Sequence, residues 1–141
     1  MLKAFFILLS LVPIFVFAQP DIKCNLEIAK IANQNAANLT EDECLGFLLT
    51  IDPICENNVE FDEFSNGSLF KILDKNPLIL IKTIDKNVSS IHLEIIYNML
   101  QNPLHDGFDL KGIKAKILKL EYQSSLKADI IKYLDIAIAK M

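Results

Sequence analysis

Two histidines and the carboxylates near them are the first side chains of this sequence that could carry chemistry. His105 is followed by Asp106, with Asp109 three residues further on, and a histidine with two carboxylates can bind a metal ion. Asp109 is also placed to cap the helix that follows it. His92 lies near the start of a predicted helix and is interpreted as a packed, hydrogen-bonded residue. We therefore predict no metal site.

The sequence lacks the short motifs by which many catalytic and ligand-binding sites can be recognised. An EF-hand loop beginning at Asp62 would need oxygen ligands at its third and twelfth positions, where Phe64 and Leu73 stand. The sequence also has no glycine-rich phosphate loop, no G-x-S-x-G and no H-E-x-x-H. We predict that the protein is not an enzyme, that it has no catalytic residues and that it needs no cofactor.

The three cysteines allow three disulfide pairings. If the first two predicted helices run antiparallel about a turn near residues 38–39, Cys24 lies opposite positions near 52–54. Cys55 is then its best partner, while Cys44 falls on an apolar helix stripe. We predict a Cys24–Cys55 disulfide and a buried Cys44 thiol, with three reduced cysteines as the alternative.

Charge is distributed unevenly along the chain. No basic residue occurs between Lys30 and Lys71, and eight carboxylates fall in that interval, whereas residues 111–141 carry seven lysines and three acids. The sequence has no arginine, the side chain best suited to grip phosphate, so phosphoryl transfer and nucleic-acid binding are disfavoured. The acidic and basic segments are either solvated faces or a device that steers a basic partner to the acidic end.

The acidic stretch at residues 57–68 is predicted to be irregular, because it contains the turn dipeptide Asn66-Gly67. A short strand at residues 59–61 is a second interpretation. Two phenylalanines in this stretch could anchor a protein partner, since aromatic side chains often dominate interface affinity; the alternative is that both rings pack onto the core. The candidate binding residues are Glu60, Phe61, Asp62, Glu63 and Phe64.

Helical spacing of apolar residues elsewhere predicts an all-α fold of six to seven short helices, in a compact bundle or a short HEAT-like array. A first helix is expected at residues 22–37, with Cys24, Ile28 and Ile31 facing inward. Thr40 and Glu43 form a capping box at the start of the second. The other predicted N-caps are Asn76, Ser89 or Ser90, Asp109, and Ser124 or Ser125.

Residues 1–18 have the three-part pattern of a secretory signal peptide. Lys3 precedes an apolar run broken by Pro13, and Val16 and Ala18 supply the small residues of a cleavage site. The run is shorter than the roughly 20 residues that span a bilayer. We predict cleavage, a single helical domain at residues 19–141 with no membrane span, and a secreted or periplasmic location.

These observations favour a small exported helical protein that binds another protein in an adaptor, inhibitor or immunity-type role. An alternative is a helical carrier of an apolar small molecule, because isoleucine and leucine are abundant around residues 78–100 and could enclose a cavity. A third hypothesis is an enzyme with a dispersed site that includes His105.

Overall fold

Residues 21–141 are described by a computed structural model with seven α-helices and one short 3₁₀ helix, and that part of the chain has no strand. The all-α prediction is confirmed, while the predicted signal peptide lies outside the described residues. No helix within residues 21–141 has the length and apolar character needed to cross a membrane. The helices are α1 (Leu26–Gln34), α2 (Glu41–Thr50), the 3₁₀ helix (Pro53–Cys55), α3 (Val59–Lys75), α4 (Pro77–Lys86), α5 (Leu93–Gln101), α6 (Leu110–Leu118) and α7 (Ser125–Ala139).

Most helices begin where the sequence places a capping side chain. Thr40 and Glu43 exchange the two hydrogen bonds of a capping box, and Asn76, Asp109 and Ser124 each accept a backbone N–H of the first turn. The start of α5 was predicted wrongly, because the chain turns through the two serines and the helix begins at Leu93, with His92 as N-cap.

One hydrophobic core runs through all seven helices. Helix α3 packs against α1, α4, α5 and α6, and α7 packs against α4, α5 and α6. Contacts between helices so far apart in sequence are typical of a compact bundle, whereas a repeat array stacks each unit only on its neighbours. On α1 the buried residues are Ala29 and Ala32, while Ile31 is 50% exposed, so the predicted inward position of Ile31 is wrong.

The prediction of an irregular stretch at residues 57–68 is wrong from residue 59 onward, where helix α3 begins. The interpretation of residues 59–61 as a strand is wrong as well. Asn58 caps the helix by accepting the N–H of Phe61 at 3.1 Å, and the helix continues through Asn66-Gly67 to Lys75. Tertiary contacts therefore override the local turn signal of this dipeptide.

The buried side chain of Asn66 makes tertiary contacts of this kind. Its amide nitrogen donates to the carbonyl oxygens of Met99 at 3.4 Å and Asn102 at 3.2 Å. Its amide oxygen accepts the backbone N–H of Leu104 at 3.0 Å. Asn66 thus pairs the carbonyl oxygen of Asn102 and the N–H of Leu104 after α5 ends, and it gives a second donor to the carbonyl oxygen of Met99, which also accepts the N–H of Asn102.

The predicted cysteine arrangement is confirmed. Cys24 and Cys55 form a disulfide with their Cα atoms 5.6 Å apart, and Cys44 is a buried free thiol. The backbone N–H of Cys24 donates to the carbonyl oxygen of Thr50 at 2.8 Å. The segment before α1 is therefore attached to the end of α2 and to the 3₁₀ helix.

Replacing Asn66 with alanine should lower the free energy of unfolding by about 2 kcal/mol, because the Asn102 carbonyl and the Leu104 N–H lose their partner and the Met99 carbonyl loses one of its two donors. Urea denaturation followed by circular dichroism measures the effect. Asn38→Ala is the matched control, since Asn38 is exposed and its side chain makes no hydrogen bond within residues 21–141. That change should stay within about 0.5 kcal/mol. Equal losses for both variants would contradict the role given to Asn66.

The thiol chemistry should follow the burial of Cys44, which raises its pKa to about 11. We expect no reaction of the native protein with an aromatic disulfide reagent at neutral pH. After unfolding without reductant, one thiol per chain should react, and after reduction all three cysteines of the sequence should react. Rapid reaction of the folded protein would contradict the buried position of this thiol.

Candidate functional site

The five candidate binding residues of the sequence lie on the first two turns of α3, and we call residues 60–64 the acidic ridge. The ridge separates two surface hollows. Phe61 and Asp62 line one of them, and Glu60, Glu63 and Phe64 line the other. This division follows from helical geometry, in which residues three and four apart share a face.

The two phenylalanines do not project as exposed anchors. Phe61 is only 3% exposed and belongs to the core, and Phe64 is half-buried against it. The three carboxylates of the ridge, at Glu60, Asp62 and Glu63, are exposed. A partner would therefore meet charges at the surface and aromatic carbon only at the bottom of each hollow.

The first hollow, which we call the acidic groove, has a volume of about 380 Å³ and lies between the end of α2, the 3₁₀ helix, α3 and α5. Its apolar lining comes from Ile51, Phe61, Ile95 and Met99, and its carboxylates come from Asp52, Glu56, Asp62 and Glu94. No lysine or histidine of residues 21–141 lines it. The sequence indicates only Phe61 and Asp62, because most of the other lining residues come from parts of the chain distant from α3 in sequence.

Asp52 differs from the other groove carboxylates because its charge is used within the fold. Its carboxylate accepts the N–H of Ile54 at 3.0 Å, and it lies 3.1 Å from the Lys23 ammonium and 3.3 Å from His92 Nε2. The Ile54 hydrogen bond, followed by the Lys23 contact, holds the pKa of Asp52 below its usual value. Asp52 is therefore a structural residue at the edge of the groove.

The remaining groove carboxylates, Glu56, Asp62 and Glu94, have no ion-pair partner within residues 21–141 and are exposed. Two lysines of the basic C-terminal segment, by contrast, form ion pairs with carboxylates of the fold. Lys116 pairs with Asp74, and Lys114 pairs with Asp135. Among the described residues, the charges of Glu56, Asp62 and Glu94 are thus left without an ion-pair partner, whereas Asp52 is paired with Lys23.

The second hollow, which we call the histidine hollow, is lined by Phe64, Gly67, Lys71, His105 and Phe108 together with Asn33, Glu60 and Glu63. His105 Nε2 lies 3.1 Å from the carbonyl oxygen of Glu63, so this nitrogen must carry the donated proton. A Cβ added to Gly67 would lie 3.1 Å from the His105 ring, so any larger residue here would require the ring to move. This packing role was missed when the dipeptide was interpreted as a turn.

Two of the three side chains considered for a metal site, His105 and Asp109, have other contacts. Asp109 caps α6 by accepting the N–H of Gly112 at 2.9 Å, and His105 is bound to Glu63. Over the part of the chain that the structure describes, no group of three or more histidine, cysteine or carboxylate side chains is placed to bind a metal ion.

Comparison with protein family models, with curated proteins and with solved structures finds no match for this chain.

Stability should depend on pH through Asp52. Because its pKa is lowered in the folded state, its contribution is present above the unfolded-state value of about 4 and is lost as pH falls through the lowered pKa. Asp52→Asn should therefore be less stable than the natural protein at pH 7, and the two curves should converge in acid. Thermal unfolding across pH measures this. The control is Asp42→Asn, at an exposed residue, and an Asp52→Asn deficit independent of pH would contradict the argument.

Proposed function

We propose that this protein is a small exported binding protein, of the adaptor, inhibitor or immunity type, whose acidic ridge binds a basic surface on another protein. The observation that carries the proposal is the set of exposed ridge carboxylates, Glu60, Asp62 and Glu63, none of which has an ion-pair partner within residues 21–141. Like charges placed this close repel one another, so a basic partner would relieve an unfavourable field.

The position of the ridge supports steering as its first contribution to binding. Unpaired carboxylates on adjacent helix turns produce a local negative potential that raises the association rate of a positively charged partner. At physiological ionic strength this field extends about 8 Å from the surface. A nucleic acid would be repelled by the same field, which is why the proposal names a protein.

A secreted or periplasmic location supports the same proposal. The Cys24–Cys55 bond is of a kind that persists in oxidising compartments, and residues 1–18 have the pattern of an export signal. A protein made for export meets its partners outside the cytoplasm, where charged adaptor or inhibitor surfaces would act.

A binding role is proposed instead of a catalytic one because both histidines have structural contacts. His92 lies beside Asp52, and His105 donates to the carbonyl oxygen of Glu63. The carrier hypothesis has less support, since large side chains such as Phe47 and Phe70 are fully buried in the core and charged residues line both surface hollows. Copurification of a small apolar molecule would favour the carrier hypothesis.

Reversing the three ridge carboxylates to lysine should weaken binding of the natural partner by about tenfold or more at low salt, because attraction becomes repulsion. The partner is first identified by native mass spectrometry of protein isolated from its own export compartment, and its affinity is then measured at two salt concentrations.

The matched control for the ridge variant reverses Asp21, Asp42 and Glu121, which are exposed and lie outside both hollows. It changes the net charge by the same amount, and its binding should fall much less. Unchanged binding by the ridge variant would remove the ridge from the proposal, and equal losses in both variants would indicate only a net-charge effect.

A further inference from the structure

We infer that the acidic groove is a socket for one long cationic side chain, a lysine or arginine presented by an extended segment of a partner protein. This inference rests on the proposed function, because it names the part of a basic partner that the groove accepts. It also goes beyond steering, since steering requires charge alone, whereas a socket requires a particular shape and chemistry.

The shape of the groove suits an apolar stem. Phe61 from α3 and Ile95 and Met99 from α5 line the groove together with Ile51 at the end of α2. Lysine and arginine side chains lay their methylene groups along apolar surface while the charged head stays near water. The volume of about 380 Å³ lies at the small end of the range for ligand pockets, so one long side chain and part of its backbone would occupy it.

The charges of the groove select a cation. Glu56, Asp62 and Glu94 come from three separate parts of the chain, line the same hollow, and have no ion-pair partner within residues 21–141. An anion would be repelled, and a purely apolar ligand would leave these charges without a partner. Because no group of these residues is placed to bind a metal ion in the described part of the chain, an organic cation with an apolar stem fits best.

The histidine hollow is a poorer candidate for the same occupant because it already contains a cation. Lys71 lines it and donates to Asn33 Oδ1 at 3.0 Å. The ammonium of Lys71 would oppose a second positive charge beside Glu60 and Glu63. Lys71 lines the histidine hollow itself, whereas Lys23 contacts the acidic groove only through its ion pair with Asp52 at the edge. This difference assigns the cation to the acidic groove.

The groove is held in place before any ligand arrives. Cys55 lines it and is joined to Cys24, and Asp52 is fixed by Ile54, Lys23 and His92. A preformed site loses less conformational freedom on binding, so even a short peptide should give measurable occupancy.

The test uses a blocked peptide, Gly-Leu-Lys-Leu-Gly with both ends capped, and the purified disulfide-bonded protein labelled at isoleucine and methionine methyl groups. We expect the methyl resonances of Ile95 and Met99 to shift on titration. A peptide with norleucine in place of lysine keeps the stem without the charge, and one with diaminopropionic acid keeps the charge without the stem. Both should bind more weakly than the lysine peptide.

Two isosteric double variants separate the socket from general steering. Asp62→Asn with Glu94→Gln should weaken the lysine peptide about fivefold, as expected for the loss of two partly solvated charge contacts. Glu60→Gln with Glu63→Gln removes the same charge from the other side of the ridge and should leave the affinity nearly unchanged.

Three results would overturn the socket. They are no shift at Ile95 and Met99 with the lysine peptide, equal binding of the norleucine peptide, and equal loss in the two double variants. If the ridge reversal still abolished capture of the natural partner, the proposed function would stand and only the socket would fail. If the peptide entered the groove while the ridge reversal left capture intact, the ridge proposal would fail instead.

Discussion

The hydrogen bonds of the buried Asn66 amide join the middle of α3 to the end of α5, and the acidic groove between these two helices depends on this contact. It allows one long helix to pass through a sequence that favours a turn locally, and it fixes α3 against the helix that supplies Ile95 and Met99. A polar group buried in a core destabilises the fold when it has no hydrogen-bond partner. When all of its hydrogen bonds are made, it favours one arrangement of the surrounding elements. Three hydrogen bonds to backbone groups therefore set the register between α3 and α5. An apolar contact, which has no directional requirement, would define that register less strictly.

A second constraint acts at the N-terminal end of the same helix. The disulfide attaches Cys24 to the 3₁₀ helix, and Cys24 has a positive φ of 54°, a conformation that costs energy for a residue with a side chain. Two further contacts lie beside the disulfide: the backbone hydrogen bond from Cys24 to Thr50 and the ion pair between Lys23 and Asp52. These covalent, hydrogen-bonded and charged contacts hold the short connection between α2 and α3 in a single arrangement, and one wall of the acidic groove is built from that connection.

Much of this architecture was predictable from local sequence. Thr40 with Glu43, Asn76 before Pro77, and Asp109 mark helix starts through chemistry that acts within one turn. The disulfide was predictable because an antiparallel hairpin fixes which cysteines can meet. The passage of α3 through Asn66-Gly67 was not, since the partners of Asn66 lie more than thirty residues away along the chain. Only part of the groove was predictable, for the same reason. Asp62 can be identified from the acidic run of the sequence, whereas Glu94 can be assigned to the groove only once α5 is placed beside α3.

The helical conformation of the ridge changes what its charges can do. In an irregular loop, Glu60, Asp62 and Glu63 would form one diffuse acidic cluster. On a helix, a rotation of about 100° per residue, which follows from 3.6 residues per turn, directs Asp62 to one hollow and Glu60 and Glu63 to the other. The charges then act together at long range, where their fields add, and separately at contact range, where each meets different neighbours. Attraction of a partner and recognition of its side chain can thus arise from one short segment, and they can be separated by changing residues on opposite sides of a single helix.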